Sequence, residues 1–158
     1  MSEHSQARYV MPATPTGRRA GRLLNDAVAT LTRMGISVGG SRVLSVRGRS
    51  SGEWRSTPVN PLTYQGKRYL VSPRGHTQWV RNMRAAGGGR LRAGRRVEEF
   101  TATELPDGQK PELLRAYLKR WKFEVGMFFD GIGPDAPGDR LLAIAPGYPV
   151  FEITTRTM

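Results

Sequence analysis

The sequence predicts an α+β, mainly β domain: a small barrel of about six mostly antiparallel strands with helices packed outside it. Three observations lead there. Short β-rich runs, at 42–46, 68–72 and 97–103 among others, alternate with turns that carry Gly or Pro. Helical spacing of apolar residues is confined to a few stretches between or beside those runs, with Leu113, Leu114, Tyr117, Leu118 and Trp121 the clearest. The chain has 158 residues, 38% of them hydrophobic and none of them cysteine, which suits one core built without disulfides.

Taken in order, residues 1–16 read as a flexible arm and 17–158 as a single domain. From Gly17, Leu23, Leu24, Ala27, Val28, Leu31 and Met34 recur at helical spacings, and Gly35 ends the pattern. Arg42 to Val46 forms a first strand, and Gly48-Arg49-Ser50-Ser51-Gly52 a loop. A second strand spans about Trp54 to Tyr64, held to an edge or bulged by Pro58 and Pro61, because proline cannot donate to a ladder. Gln65-Gly66 turns the chain into Arg68 to Ser72. After the loop Pro73-Arg74-Gly75-His76, Thr77 caps a short helix carrying Trp79, Val80 and Met83, which Gly87 to Gly89 terminates. A hairpin around Gly94 joins Leu91–Ala93 to Val97–Thr103. Pro111 opens the late helix, Phe123 to Phe129 is helical or irregular, and Leu141–Ala145 and Val150–Thr154 close the chain as strands.

Charge narrows the function. The net charge is +12, and residues 1–97 alone carry +15 while residues 98–158 carry −3. Such a field attracts anions: nucleic acid, lipid headgroups or a small polyanion. Nucleic acid is disfavoured, since no recognition helix or base-stacking platform is legible and prolines punctuate the basic region. Two isolated histidines, His4 and His76, and no cysteine leave no metal site to predict. Residues 1–10 lack the apolar core of a signal peptide, and the longest apolar run, Leu141 to Ala145, is too short for a bilayer. A cytoplasmic protein is expected. Arg18, Arg19 and Arg22 on the first helix add peripheral contact at the inner membrane surface as a further expectation.

Two loops form the candidate site. In Gly48 to Pro58, glycine amides and the hydroxyls of Ser50 and Ser51 suit phosphate oxygens, and Arg49 and Arg55 suit a bidentate clamp. The segment lacks the Gly-Lys-Ser/Thr ending of a Walker loop, and a strand, not a helix, follows it, so it is no dinucleotide fingerprint. In Ser72 to Asn82 a strand ends in a loop that opens a helix, whose free amides favour anions. Arg74 and His76 stand where they would reinforce this, and Trp79 reads as a core anchor able to wall a pocket. Tyr117, Trp121 and Phe128 are candidates for an apolar substrate wall. No Ser/His/Asp group or paired carboxylates are legible, so a cofactor is expected to carry any difficult chemistry.

The ordered strings Gly48-Arg49-Ser50-Ser51-Gly52-x-x-Arg55-x-Thr57-Pro58, Tyr69 to Gly75 and Trp79 to Ala85 resemble the deazaflavin (F420)-dependent nitroreductase family. That resemblance implies a split β-barrel of the FMN-binding type and a hydride transfer from reduced F420 to an activated double bond, a quinone or a nitro compound. It places Arg49, Ser50, Ser51, Arg55, Thr57 and Pro58 at the cofactor's phosphate and acidic tail. Ser72, Pro73, Arg74 and Gly75, with the adjoining His76, Thr77 and Gln78, would border the deazaflavin ring, and Trp79 and Asn82 would fix the helix beside it. The family's substrate-contacting C-terminal tyrosines have no counterpart legible here. The expected substrate is a small apolar or quinone-like molecule and the expected assembly a monomer or homodimer. FMN is the alternative cofactor, and a non-catalytic lipid- or ligand-binding protein the alternative function.

Overall fold

The structure is a computed structural model that describes residues 42–156. The expected arm and first helix, with Arg18, Arg19 and Arg22, lie outside the described residues.

Seven strands build one sheet: β1 (Arg42–Arg47), β2 (Trp54–Val59), β3 (Leu62–Tyr64), β4 (Lys67–Val71), β5 (Gly88–Ala93), β6 (Arg96–Glu104) and β7 (Val150–Thr155). Helix α1 (Gln78–Ala86) lies between β4 and β5, while α2 (Pro111–Val125) and α3 (Gly138–Ile144) lie between β6 and β7. The strand order is β2-β1-β5-β6-β7-β4-β3, and all the neighbours pair antiparallel. The sheet curls into a split barrel with helices outside, the expected class.

One strand is gained by a break. The expected single strand Trp54–Tyr64 is interrupted at Asn60-Pro61, and its halves become the two opposite edges of the sheet. Proline lacks the N–H that would continue the ladder. Pro58 sits within β2 opposite Val43, on an edge strand as its chemistry demands. Gln65 and Gly66 both have positive φ, 51° and 78°, the two-residue turn whose twist suits a tight hairpin. Gly94 (φ 62°) turns β5 into β6.

Period-two alternation feeds two cores, one on each face of the sheet. On β4, Leu70 joins Leu44, Val46, Leu91, Phe100 and Phe151 beneath α1, which contributes Trp79, Val80 and Met83. Its neighbours Tyr69 and Val71 point the other way, into the cluster of α2 and α3. Helix α2 starts on Pro111 at its first turn and buries Leu113, Leu114, Tyr117, Leu118, Trp121 and Val125. The expected strand Leu141–Ala145 is instead part of α3 and the 3₁₀ turn after it. Leu141 and Ala145, four apart, are both fully buried, whereas Leu142 is 46% exposed. That is helical spacing, and the short apolar run concealed it. Buried Lys110 donates from Nζ to the Ala145 carbonyl at 3.0 Å and pairs with Asp107 at 2.7 Å, fixing this turn against the start of α2.

Gly87, in the left-handed region at φ 72°, alone ends α1, whereas Gly88 and Gly89 already belong to β5. Their role is close approach. A Cβ on Gly88 would strike the Phe100 carbonyl, and one on Gly89 would lie 2.5 Å from the Ser45 carbonyl.

The nearest neighbour of Gly89, the Ser45 carbonyl, is backbone of a paired strand and cannot rotate away. Gly89→Ala is therefore expected to lower the unfolding free energy by about 2–3 kcal/mol, measured by urea denaturation. Gly108→Ala, where a Cβ meets nothing within 4 Å, serves as the control. Equal stability of the two variants would contradict this packing.

Candidate functional site

The site grows from the way the β1–β2 loop is tied to α1. Gly48 N–H donates to the Glu53 carbonyl at 2.7 Å and Gly52 N–H to the Gly48 carbonyl at 2.8 Å, closing a compact loop with Gly52 at φ 74°. Ser51 Oγ accepts the Glu53 N–H at 3.1 Å, and Arg47 donates to the Gly52 carbonyl at 2.8 Å. Arg49 then reaches across. Its N–H and guanidinium donate to Asn82 Oδ1 at 3.1 and 2.7 Å, and the guanidinium also donates to Gln78 Oε1 at 2.9 Å. Asn82 is fully buried, so its amide oxygen is a fixed post.

The second loop leads directly into α1. Ser72, fully buried, donates from Oγ to the Gly75 carbonyl at 2.6 Å, and Thr77 N–H donates to the same carbonyl at 2.9 Å. Gly75 holds φ 86° with the Gly147 carbonyl 3.5 Å from where a Cβ would be. The two loops thus meet at the N-terminal half of α1. Thr77 is the N-cap by position, but its hydroxyl makes no capping bond.

Three buried polar atoms here have no partner: Arg55 Nε, Thr77 Oγ1 and Asn82 Nδ2. Arg55 stands opposite core residue Val46, so its side chain enters the layer that α1 covers. Two of the three groups can only donate and the hydroxyl can donate. A buried donor left unmade costs about 1–3 kcal/mol. An acceptor-rich, anionic ligand is what such a set fits.

Other predicted residues have different places. Ser50 is exposed in the loop, and Thr57 is buried opposite Leu44 on the α1 face. Pro58, one residue on, belongs to the other face and is not gathered with them. Pro73 is half-buried, and Arg74 is exposed with its guanidinium 5.7 Å from the centre of the Phe128 ring. His76 is engaged by the protein: Nε2 donates to the Pro146 carbonyl at 3.0 Å and Nδ1 accepts from Arg84 at 3.1 Å. Trp79 is 8% exposed and packs on Phe151, rings 5.8 Å apart, as a core anchor.

The substrate wall expected of Tyr117, Trp121 and Phe128 needs correction. Tyr117 is 1% exposed, and burial pushes its hydroxyl well above the ordinary tyrosine range. Trp121 is likewise buried and donates from Nε1 to the Pro61 carbonyl at 3.1 Å, away from both loops. Their spacing on α2 is simply that of its core face. Phe128 alone reaches the site, through Arg74. Tyr148, which the sequence reading passed over, donates from its hydroxyl to the Phe128 carbonyl at 2.5 Å and stacks on Phe129 at 4.2 Å. Burial, then the negative charge of Asp130, raises its pKa. No local signal marks Tyr148, since it follows the segment mistaken for a strand.

Comparison with known proteins follows from this geometry. A family model described as F420H(2)-dependent quinone reductase matches residues 28–123. The solved structure of the protein Atu2129, of unknown function, from Agrobacterium tumefaciens str. C58 is similar at 14% identity and a TM-score of 0.54, over 92% of this chain and 59% of that one. A structure described as a domain-swapped dimer is similar at 15% identity and a TM-score of 0.52, over 88% of this chain and 100% of that one. One described as an F420-H2 dependent reductase (FDR-A) has 19% identity and a TM-score of 0.49, over 73% of this chain and 94% of that one. No curated protein matches the chain significantly.

Removing the fixed post should loosen the loop before it harms the fold. Asn82→Ala is expected to cost about 1–3 kcal/mol and to speed amide exchange at Arg49, read by hydrogen-exchange mass spectrometry. Unchanged exchange across Gly48–Gly52 would show that the clamp does not hold the loop. A second test concerns the salt bridge that fastens α1 to the end of β6, Arg84 to Glu104 at 2.7 Å. The Arg84 hydrogen bond, followed by its charge, holds Glu104 below the ordinary carboxylate range despite partial burial. The pair's stabilisation is therefore complete above the unfolded-state pKa and lost as pH falls through the folded one. With both side chains about one-third exposed, solvent screening limits it to about 1 kcal/mol or less. Glu104→Gln should be less stable than the parent near neutrality and equal to it in acid, by thermal melts across pH; a gap that does not close refutes the assignment.

Proposed function

We infer the reaction from one premise: the chain belongs to the F420H(2)-dependent quinone reductase family. It is an oxidoreductase of that class, and the proposal concerns how its residues serve the reaction. The observation that carries it is the set of unpartnered donors at Arg55, Thr77 and Asn82 beside the Arg49 loop. These residues fit the phosphate and acidic tail of F420, which offer acceptors and negative charge. Bound F420H2 would supply a hydride to an activated acceptor, of which a quinone suits the family best.

The chain's own residues hold and orient. The Gly48–Gly52 loop spends its Gly48, Arg49 and Gly52 amides on holding its own shape, and Arg55 supplies a guanidinium whose Nε is shielded from water. Arg49, held by Gln78 and Asn82, keeps the loop against α1. Ser72 to Gly75 form a rigid turn suited to the edge of the deazaflavin ring, and Arg74 over Phe128 offers a cationic and apolar border for the acceptor. Tyr148 stiffens that border from behind. The donor set speaks for an anion and leaves acceptor chemistry to the ring-side wall, so quinone and nitro acceptors are to be compared directly. Nothing in the family match supports FMN.

Titrating purified protein with F420 while following deazaflavin fluorescence should give saturable binding at micromolar protein. Arg55→Met, which keeps bulk but removes the charged donors, should weaken it about tenfold. With F420H2 supplied, a quinone acceptor should turn over faster than a nitro compound. A flat titration would refute the cofactor assignment, and preferential nitro reduction would refute the acceptor.

A further inference from the structure

A second basic region lies at the other end of the strands. β1 and β4 both run towards the candidate site, which follows their C-terminal ends, whereas Arg42 and Arg68 stand at their N-terminal ends. The six residues of β1 put roughly 16 Å between the two ends. There, a cleft of about 670 Å³ opens between α2 and the β3 edge. Arg42, Arg68, Lys119 and Arg120 line it over an apolar floor that includes Leu62 and Trp121, and no Asp or Glu is among the lining residues. Arg68 is shared with Glu98 at 3.2 Å, and the Arg120 guanidinium lies 3.9 Å from the Trp121 ring centre.

Beside the cleft, apolar side chains are left in water. The backbone of α2 departs from helical geometry at Trp121 (φ −122°, ψ 18°), and two residues on Phe123 is 93% exposed. Met127 is 69% exposed. Burial of an aromatic ring is worth about 1.5–3 kcal/mol, so a solvent-facing Phe forgoes that gain unless something covers it. Exposed apolar side chains next to Lys119, Arg120 and Lys122 match the order of chemistry at a bilayer surface: phosphate outermost, hydrocarbon beneath.

We propose that this cleft takes the phosphate headgroup of an anionic phospholipid while Phe123 and Met127 enter the adjoining bilayer interface. Lys119 and Arg120, both exposed on α2, supply the charge complementarity that selects an anionic leaflet. The proposal stands on this surface and does not rest on the cofactor reading.

The test is co-sedimentation of the full chain with phosphatidylcholine vesicles, with and without phosphatidylglycerol, in the absence of F420. Binding is expected only with phosphatidylglycerol, and weaker by about tenfold or more in Lys119→Glu/Arg120→Glu. Phe123→Ser should lower it as well, without affecting the fold because the side chain packs on so little. Arg95→Glu/Arg96→Glu, the same change of net charge at the exposed β5–β6 turn, should bind as the parent does. Equal losses in the two charge-reversed pairs would show generic attraction and overturn the site, as would no vesicle binding. Saturable binding of inorganic phosphate without vesicle binding would overturn the lipid assignment in favour of a soluble phosphate. F420 titration of the same preparations reports separately on the reductase reading.

Discussion

Asn82 Oδ1 accepts two hydrogen bonds from Arg49 while its residue is fully buried. An amide carried into the interior must find partners there or forfeit about 1–3 kcal/mol per unmade bond. The oxygen finds its partners in the β1–β2 loop, so the loop's position follows from the helix. The nitrogen of the same amide has none. One side chain therefore both ties the loop to α1 and keeps a buried donor unpartnered. The loop, the start of α1 and the turn at Ser72–Gly75 can act together only because this contact joins segments more than thirty residues apart.

That contact depends in turn on how the sheet is made. Immediately after α1, Gly88 and Gly89 stand where a Cβ would meet the Phe100 and Ser45 carbonyls of β6 and β1. On the opposite face, α2 and α3 pack a separate core against Tyr69, Val71 and Val150. Adjacent residues of β4 serve different cores, so the sheet is buried on both faces where it must be rigid. β1 and β4 present their C-terminal ends to the two loops beside α1 and their N-terminal ends to the basic cleft.

Charge is distributed accordingly. Several arginines of the basic two-thirds are committed to structure: Arg84 to Glu104, Arg68 to Glu98, Arg90 to Glu99, and Arg47 and Arg90 to the Trp54 ring at 4.5 and 4.2 Å from its centre. The acids of the last third meet these cations across β5, β6 and β7. Net charge is thus a poor guide to a site: even Arg55, whose Nε is buried without a partner, has its guanidinium paired with Glu53 at 3.6 Å. Among the described residues no helix is long and apolar enough to cross a membrane.

Local chemistry was enough to locate the hairpin turn at Gln65-Gly66, the edge position of Pro58, the core face of α2 and the two loops of the site. Each depends on residues near in sequence: a turn that needs positive φ, a proline without N–H, an apolar spacing, glycines among arginines. The short apolar run at Leu141–Ala145 misled because five residues cannot separate strand from helix until a packing partner chooses one face. Tyr117 and Trp121 misled because an aromatic stripe reads alike whether it faces a substrate or a core. Tertiary structure alone decided that Asn82 would hold Arg49, that Tyr148 would stand behind Phe128, that Pro61 would divide one strand between two sheet edges, and which donors would remain unpaired. Those outcomes rest on contacts between distant segments, which exist only once the chain has closed on itself. The sequence by itself determined a barrel oxidoreductase of a recognisable family, because its motifs are local; the folded sheet decided which of its many arginines are held by acids, carbonyls and rings, because those partners come from distant segments.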